Sequence, residues 1–388
     1  MKNILTLNAI SPVINEVFDT TYNVAADAEN PTGILLRSYK MHDYPLSEQT
    51  IAVARAGAGV NNIPTEDYAA KGVVVFNTPG ANANAVKELA ITAILLGSRK
   101  ITDAVNWVKT LKGKGEEIGK LVEKGKSEFT GREITGKKLG VIGLGAIGAN
   151  VANAAIALDM EVYGYDPFLS VNSALKLSRA VNVVKDLEYI LKNCDYITVH
   201  IPYIPAQNKG FINAGVIRKM KDGVVIINLA RGELVDNADV VKATESGKVA
   251  RYVTDFPADE LIGVDNVICI PHLGASTEEA EENCAIMAAK ELIDYIENGN
   301  ITNSVNYPNC SMPRSTDCRL VILHKNVNNI LAQITTAVAS EGINIANLSN
   351  QSRGNYAATI IDTDTAVPEK AIKHITDAKD IIRVRVIN

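Results

Sequence analysis

The chain has 388 residues, 47% hydrophobic and 21% charged, with a formal net charge of -5, a globular composition long enough for two or three domains with their own cores. It has no long basic run to suit nucleic acid or an anionic membrane surface, no window of membrane-span length, and no signal-peptide core in MKNILTLNAI, so the expectation is a cytoplasmic protein acting on small molecules. The five cysteines (Cys194, Cys269, Cys284, Cys310, Cys318) are odd in number and lack CxxC or Cys/His spacing, which predicts reduced thiols and no metal site.

Residues 2 to 101 alternate short apolar runs with helical patterns: NILTL, a helix opened by Ser11-Pro12, GILLRS, IAVARAG, VVVFNTP, and an amphipathic stretch from Asn84. Such alternation predicts a parallel sheet with helices on both faces. The Lys/Gly/Glu-rich stretch from Asp103 to Thr130 reads as a solvated connection. The alternation restarts at KKLGVIGLG (137 to 145) and continues through EVYGYDP, YITVHIP, GVVIINLAR, ARYVTDF and NVICIPH, giving a second doubly wound domain. At Ser276 the capping-box signature Ser-Thr-Glu-Glu opens a helix of about 22 residues, long enough to return towards the first domain, which stops at Asn298-Gly299. Residues 303 to 316, NSVNYPNCSMPRST, carry two prolines and little periodicity and read as a linker. Residues 317 to 388 then read βαββαβ, a ferredoxin-like order. The fold class is therefore α/β, with two doubly wound parallel-sheet domains followed by a small third unit.

LGVIGLGAIG places Gly143, Gly145 and Gly148 between an apolar strand and an Ala-rich helix. The first glycine makes the tight turn, the second lets backbone amides approach a pyrophosphate at the helix N-terminus, and the third lets helix and strand pack closely. Ala146 and Ile147 lie within the same turn. A second strand, EVYGYD, ends at Asp166, where a carboxylate accepts bonds from ribose hydroxyls and repels a 2′-phosphate. The expected cofactor is NAD.

In open α/β sheets ligands bind beyond the carboxyl ends of strands. Arg231 follows GVVIINLA, Asp255 follows VARYVT and His272 follows NVICIP, with Glu260 in the loop between the last two. Oxidising a secondary alcohol by hydride transfer requires a base for the hydroxyl proton, a task suited to His272. A carboxylate on the other ring nitrogen fixes the tautomer and raises basicity, and Glu260 is the candidate. A guanidinium clamps the carboxylate of a 2-hydroxy acid and polarises the forming carbonyl, which assigns Arg231. Asp255 is placed to orient the nicotinamide carboxamide. His42, His200 and His374 read as structural, with His200-Ile201-Pro202 also placed to line the cofactor. The three strand ends together carry the assignment, since a histidine alone is more often structural.

These residues resemble the D-isomer-specific 2-hydroxyacid dehydrogenases, through RAGAGVNNI (55 to 63), NTPGANANAVKELA (77 to 90), GKKLGVIGLGAIG (136 to 148), INLARGELVD (227 to 236) and the run from Asp255 to Thr277. The resemblance implies a discontinuous substrate domain (1–97 and 284–302) around an inserted NAD-binding Rossmann domain (98–283), then a linker (303–316) and a regulatory unit (317–388). It implies catalysis by Arg231, Glu260 and His272, and a cofactor site that includes Ile201, Pro202, Leu229 and Ala230. The implied reaction is oxidation of 3-phospho-D-glycerate to 3-phosphooxypyruvate, the first step of L-serine biosynthesis, in a homo-oligomer, either dimer or tetramer. A phosphorylated substrate needs positive charge. Arg37-Ser38 and Arg55 end apolar strands and suit that need; Asn82 matches a substrate-contacting asparagine of the family, and Lys126 falls at the offset of a basic position. The alternatives are another D-2-hydroxy acid, such as glycerate or lactate, or an NAD-sensing regulatory protein of the same fold. Glu260 is followed by Leu261 where relatives usually have proline, and the loop to His272 is short.

The C-terminal unit resembles an ACT domain, a regulatory module that binds amino acids. By that resemblance His324, Asn326 and Asn344 match residues that hold L-serine as an effector. The loop Asn326-Val327-Asn328-Asn329 departs from the usual Asn-x-Pro-Gly form.

Overall fold

The computed structural model describes the chain from Met1 to Asn388, the side chain of Asn172 excepted. Two compact units emerge, one formed by Met1–Ala81 with Glu281–Asn388, the other by Asn82–Ala280.

In the first unit, β1 (Lys2–Leu7), β2 (Tyr22–Ala25), β3 (Gly33–Leu36), β4 (Ala52–Arg55) and β5 (Val74–Asn77) form a parallel sheet in the order β2-β1-β3-β4-β5. Both faces are covered, so the central strands are continuous apolar runs rather than alternating ones; every residue of β3 is buried. The short β2 was not expected from the sequence, and Ser11-Pro12 opens only a 3₁₀ turn, Pro12–Glu16.

The second unit contributes β6 (Lys138–Ile142), β7 (Glu161–Tyr165), β8 (Asn182–Val183), β9 (Tyr196–Val199), β10 (Val224–Asn228), β11 (Val249–Thr254) and β12 (Val267–Cys269). Their order is β12-β11-β10-β9-β6-β7-β8, all parallel, and it reverses direction between β6 and β9. That reversal opens a crevice at the carboxyl ends of the strands. The helix Ala83–Ser98, expected in the substrate domain, belongs to this unit: Ala90, Ala93 and Ile94 share a core with Val225 and Val253, and the Ser98 and Tyr196 hydroxyls lie 2.8 Å apart. The divide therefore falls at 81/82 and 280/281 instead of 97/98 and 283/284. The stretch read as a solvated connection is also structured. Helices Ile101–Lys109 and Ile118–Gly125 are followed by a 3₁₀ turn, Lys126–Phe129, and the rings of Trp107 and Phe129 lie 5.3 Å apart, with Leu111 buried. A few apolar side chains among the lysines are enough to fold it.

The long helix, Glu278–Asn298, is capped by Thr277, whose hydroxyl accepts from the Ala280 amide, rather than by Ser276. After it, the segment read as a linker extends the first sheet. Ser304 bridges antiparallel to Phe76, the Asn77 amide donates to the Asn303 carbonyl, and the Val305 amide donates to Val75. Asn306 accepts from the Val75 amide and donates to the carbonyls of Thr65 and Val73, and the Tyr307 hydroxyl donates to Ala69. Unpaired groups on β5 would otherwise be costly. The polar residues that resemble linker chemistry are the ones that satisfy them.

The C-terminal strands β13 (Cys318–Lys325), β14 (Ile345–Arg353), β15 (Tyr356–Thr363) and β16 (Ile381–Ile387) form an antiparallel sheet in the order β14-β15-β13-β16. Helices Ile330–Ala339 and Glu369–Thr376 cover one face through Leu320, Ile322 and Ile361; Val321, Leu323, Ala358 and Ile360 on the other share a core with Ile4, Leu292 and Tyr295. The fully buried Arg319 pairs with Asp362 and donates to the carbonyls of Asn298, Met312 and Pro313. Arg383 and Arg385 add bonds to the carbonyls of Thr50 and Tyr295. The sheet is thus packed into the first unit rather than held on a tether.

Candidate active site

Gly143 directly follows β6 with φ of +92°, and a Cβ there would lie 2.5 Å from the His200 carbonyl oxygen. Gly148 is tighter still, since its Cβ would sit 1.9 Å from the Gly143 oxygen. Gly145 caps the helix Ala146–Ala157 and has open space where a side chain would project. Asp166, one residue beyond β7, accepts from the amides of Leu144 and Phe168, each at 2.9 Å. Each carboxylate oxygen keeps a second lone pair for a ribose hydroxyl. At the end of β9, Nε2 of His200 is 2.9 Å from the Thr198 hydroxyl and Nδ1 is buried without a partner; burial lowers its pKa to about 4. His200 is neutral at physiological pH. Ile201 and Pro202 continue from it, the first partly buried and the second exposed.

The neighbouring strand ends are held by a residue that motif reading overlooked. Asn228, the buried last residue of β10, donates from Nδ2 to the Arg231 carbonyl at 2.8 Å and accepts from the Ala230 amide. It sets the turn Leu229-Ala230-Arg231, and Arg231 Nη1 in turn donates to the Ala230 carbonyl. The only sequence signal is a polar residue closing an apolar run. Asp255, after β11, is fully buried: Oδ2 accepts from the Gly274 amide at 3.3 Å and Oδ1 has no partner. Burial raises its pKa, opposed first by His272 and more weakly by the Gly274 amide and Arg231. His272, after β12, is exposed, with its ring 4.8 Å from that of Phe256. The pairing expected of Glu260 does not form here. Glu260 is exposed and makes no hydrogen bond or ion pair among the described residues, so its loop leaves the carboxylate in solvent.

In the first unit, Arg37 and Arg55 close β3 and β4 side by side. Arg55 Nε donates to the Arg37 carbonyl at 2.9 Å, and Gly57 leaves room for the guanidinium, which a Cβ would approach to 2.5 Å. Arg37 is already paired, its Nη1 lying 2.5 Å from Glu281 Oε1, and Ser38 is exposed. In the second unit, Asn82 precedes the helix Ala83–Ser98 without capping it through its side chain, and Lys126 is exposed and paired with Glu123. Of the three residues expected to hold an effector, His324 is fully buried. Its Nδ1 bonds the Lys325 carbonyl and its Nε2 the Thr359 hydroxyl, which leaves no free group for a ligand. Asn326 donates to the Gly354 carbonyl and Asn344 to Asp364.

Residues 91–274 match the family model described as D-isomer specific 2-hydroxyacid dehydrogenase, NAD binding domain. The chain belongs to the D-isomer specific 2-hydroxyacid dehydrogenases. Among its relatives are D-3-phosphoglycerate dehydrogenases. That of Haemophilus influenzae is 32% identical over 349 residues, covering 87% of this chain and 81% of the relative. That of Archaeoglobus fulgidus is 38% identical over 263 residues, covering 66% of this chain but only 47% of the relative, so the match spans about half of that protein. Among solved structures, the NAD+-bound 3-phosphoglycerate dehydrogenase of Entamoeba histolytica superposes with a TM-score of 0.61 at 26% identity, covering 79% of this chain and 98% of that one. The cofactor of the present chain is NAD. The glycine turn, too tight for a Cβ at 143 or 148 and open at Gly145, and the buried, unpartnered Asp255 Oδ1 both fit it.

Proposed function

We propose that the chain oxidises 3-phospho-D-glycerate to 3-phosphooxypyruvate, the first step of L-serine biosynthesis. The observation that carries this reading is the placement of Arg231, the buried Asp255 and His272 just beyond the ends of three adjoining strands, β10, β11 and β12. NAD, when bound, accepts the hydride from the substrate carbon. Gly143, Gly145 and Gly148 with Ala146 and Ile147 admit its pyrophosphate, Asp166 takes the ribose hydroxyls, Ile201, Pro202, Leu229 and Ala230 line the site, and Asp255 Oδ1 accepts from the carboxamide. His272 takes the hydroxyl proton and Arg231 clamps the substrate carboxylate. Glu260, exposed and unpaired here, is read as the carboxylate that orients His272. Arg55, Ser38, Asn82 and Lys126 are the remaining substrate contacts.

With NAD and 3-phospho-D-glycerate the enzyme should form NADH. His272→Ala should abolish turnover and keep NADH binding, and failure of the wild type to turn over this substrate would refute the reading. The Arg37–Glu281 pair favours one alternative, an unphosphorylated D-2-hydroxy acid, because it neutralises half of the expected phosphate cradle. Arg55→Gln discriminates between them: it should harm 3-phospho-D-glycerate far more than D-glycerate.

The C-terminal βαββαβ unit is read as an ACT domain with L-serine as effector at Asn326 and Asn344, with His324 supporting them from inside. Assays with and without L-serine test it. Ile101, Val105 and Val108 form an exposed apolar helix face, which supports a homo-oligomer. A cytoplasmic location belongs to the same reading; no helix among the described residues is long and apolar enough to cross a membrane.

A further inference from the structure

The first unit contains an open pocket of about 560 Å³ that no step of the proposed reaction uses. It forms where three segments meet: the carboxyl end of β5, the edge segment after the long helix, and the last residues of β14. Asn77, Asn303, Asn309, Gln351, Ser352 and Arg353 supply its polar lining. Among the described residues no aspartate or glutamate lines it, although acids outnumber bases in the whole chain. Its volume is in the range of small-molecule sites.

Asn77 Nδ2 is committed to the Ala58 carbonyl and Asn303 Nδ2 to Glu291 Oε1, and the free donors are those of Arg353, Asn309, Gln351 and Ser352. Arg353 Nη1 donates to the Ser304 carbonyl at 2.9 Å; among the described residues this is the guanidinium's one bond, and no carboxylate pairs with it. Four N–H groups remain, in a planar fork that matches carboxylate and phosphate oxygens. The side chains of Asn309, Gln351 and Ser352 likewise have no partner among the described residues. A fixed guanidinium among neutral donors, with no acid to compete, is the chemistry of an anion site.

We infer that this pocket binds a small anion, a carboxylate or a phosphate monoester. It shares no residue with the proposed substrate contacts or with Asn326 and Asn344. Its occupant would touch the C-terminal sheet through Arg353 and the substrate fold through Asn77 and Asn303. Asn303, held at φ of +60°, accepts the Asn77 amide through its carbonyl. A bound anion would therefore brace the start of the loop that leads to Asn82. Such bracing alters substrate affinity only insofar as the anion prefers one conformation of that loop.

The test reads binding, so its failure leaves the catalytic reading untouched. The full chain is titrated calorimetrically with inorganic phosphate and, separately, with malonate. Wild type should bind at least one; binding of phosphate alone identifies a phosphate monoester as the ligand, and of malonate alone a carboxylate. Arg353→Gln should weaken binding about tenfold to a hundredfold, as expected for losing a charge-assisted contact. Ser352→Asp, which keeps the Arg353–Ser304 bond and adds a repelling charge, should do the same and decides alone if Arg353→Gln does not fold. No binding of either probe by wild type, or wild-type affinity in either folded pocket variant, would overturn the inference.

Discussion

Glu291 lies on the inner side of the long helix, 9% exposed. Its Oε1 accepts from Asn303 Nδ2 at 2.7 Å, and its Oε2 is buried with no partner. Burial pushes its carboxyl from the ordinary 4.5 up to about 8, opposed only by the Asn303 bond. Below pH 4.5 the group is protonated in both folded and unfolded chains and exacts no penalty. Between 4.5 and about 8 the unfolded chain releases a proton that the folded chain retains, so stability falls as pH rises and levels off once the folded group ionises. At about 1.4 kcal/mol per pH unit this amounts to about 3 kcal/mol by pH 7 and about 4 kcal/mol by pH 8, approaching a plateau of about 5 kcal/mol above that. Glu291→Gln keeps the acceptor for Asn303 and removes the titration. Urea unfolding should find the two proteins similar near pH 4.5 and the variant more stable by several kcal/mol at pH 8, with an unchanged denaturant slope. Parallel loss of stability in both proteins across that range would refute the argument.

Gly148→Ala forces a Cβ against the backbone oxygen of Gly143, with no flexible side chain able to give way. NADH titration by fluorescence should find binding reduced at least about a hundredfold, or the unit destabilised by several kcal/mol. Asp166→Ser removes a carboxylate that holds two backbone amides and faces the expected ribose. The KM for NAD should rise about tenfold to a hundredfold while NADP becomes usable, as read in steady-state assays. Arg319→Ala leaves Asp362 buried without its partner and should cost about 3 to 5 kcal/mol in urea unfolding, whereas Arg319→Met with Asp362→Leu should recover only the part due to the unpaired carboxylate, because the carbonyls of Asn298, Met312 and Pro313 still lack their donor.

Much of this chain is legible one segment at a time. The turn of Gly143, Gly145 and Gly148 and the acid at Asp166 are readable because a phosphate-binding turn is local: strand, tight turn and helix N-terminus follow one another within a dozen residues. Arg231, Asp255 and His272 are readable because each closes an apolar run, and in a parallel sheet every such end lies on the same edge. The βαββαβ order of the last 70 residues is likewise a matter of local period.

What only the tertiary structure decided depends on groups far apart in the chain. Residues 303–306 have the composition of a linker, but become an edge because β5, more than 200 positions earlier, presents unpaired backbone groups. Arg37 is paired with Glu281, and His324 is buried and bonded to Thr359. Glu260 stands in solvent, away from the histidine whose partner it was expected to be. Sequence periodicity reports which face of an element is apolar. It does not report which polar group will meet another when those faces are buried, because burial and hydrogen-bond satisfaction belong to the packed chain as a whole.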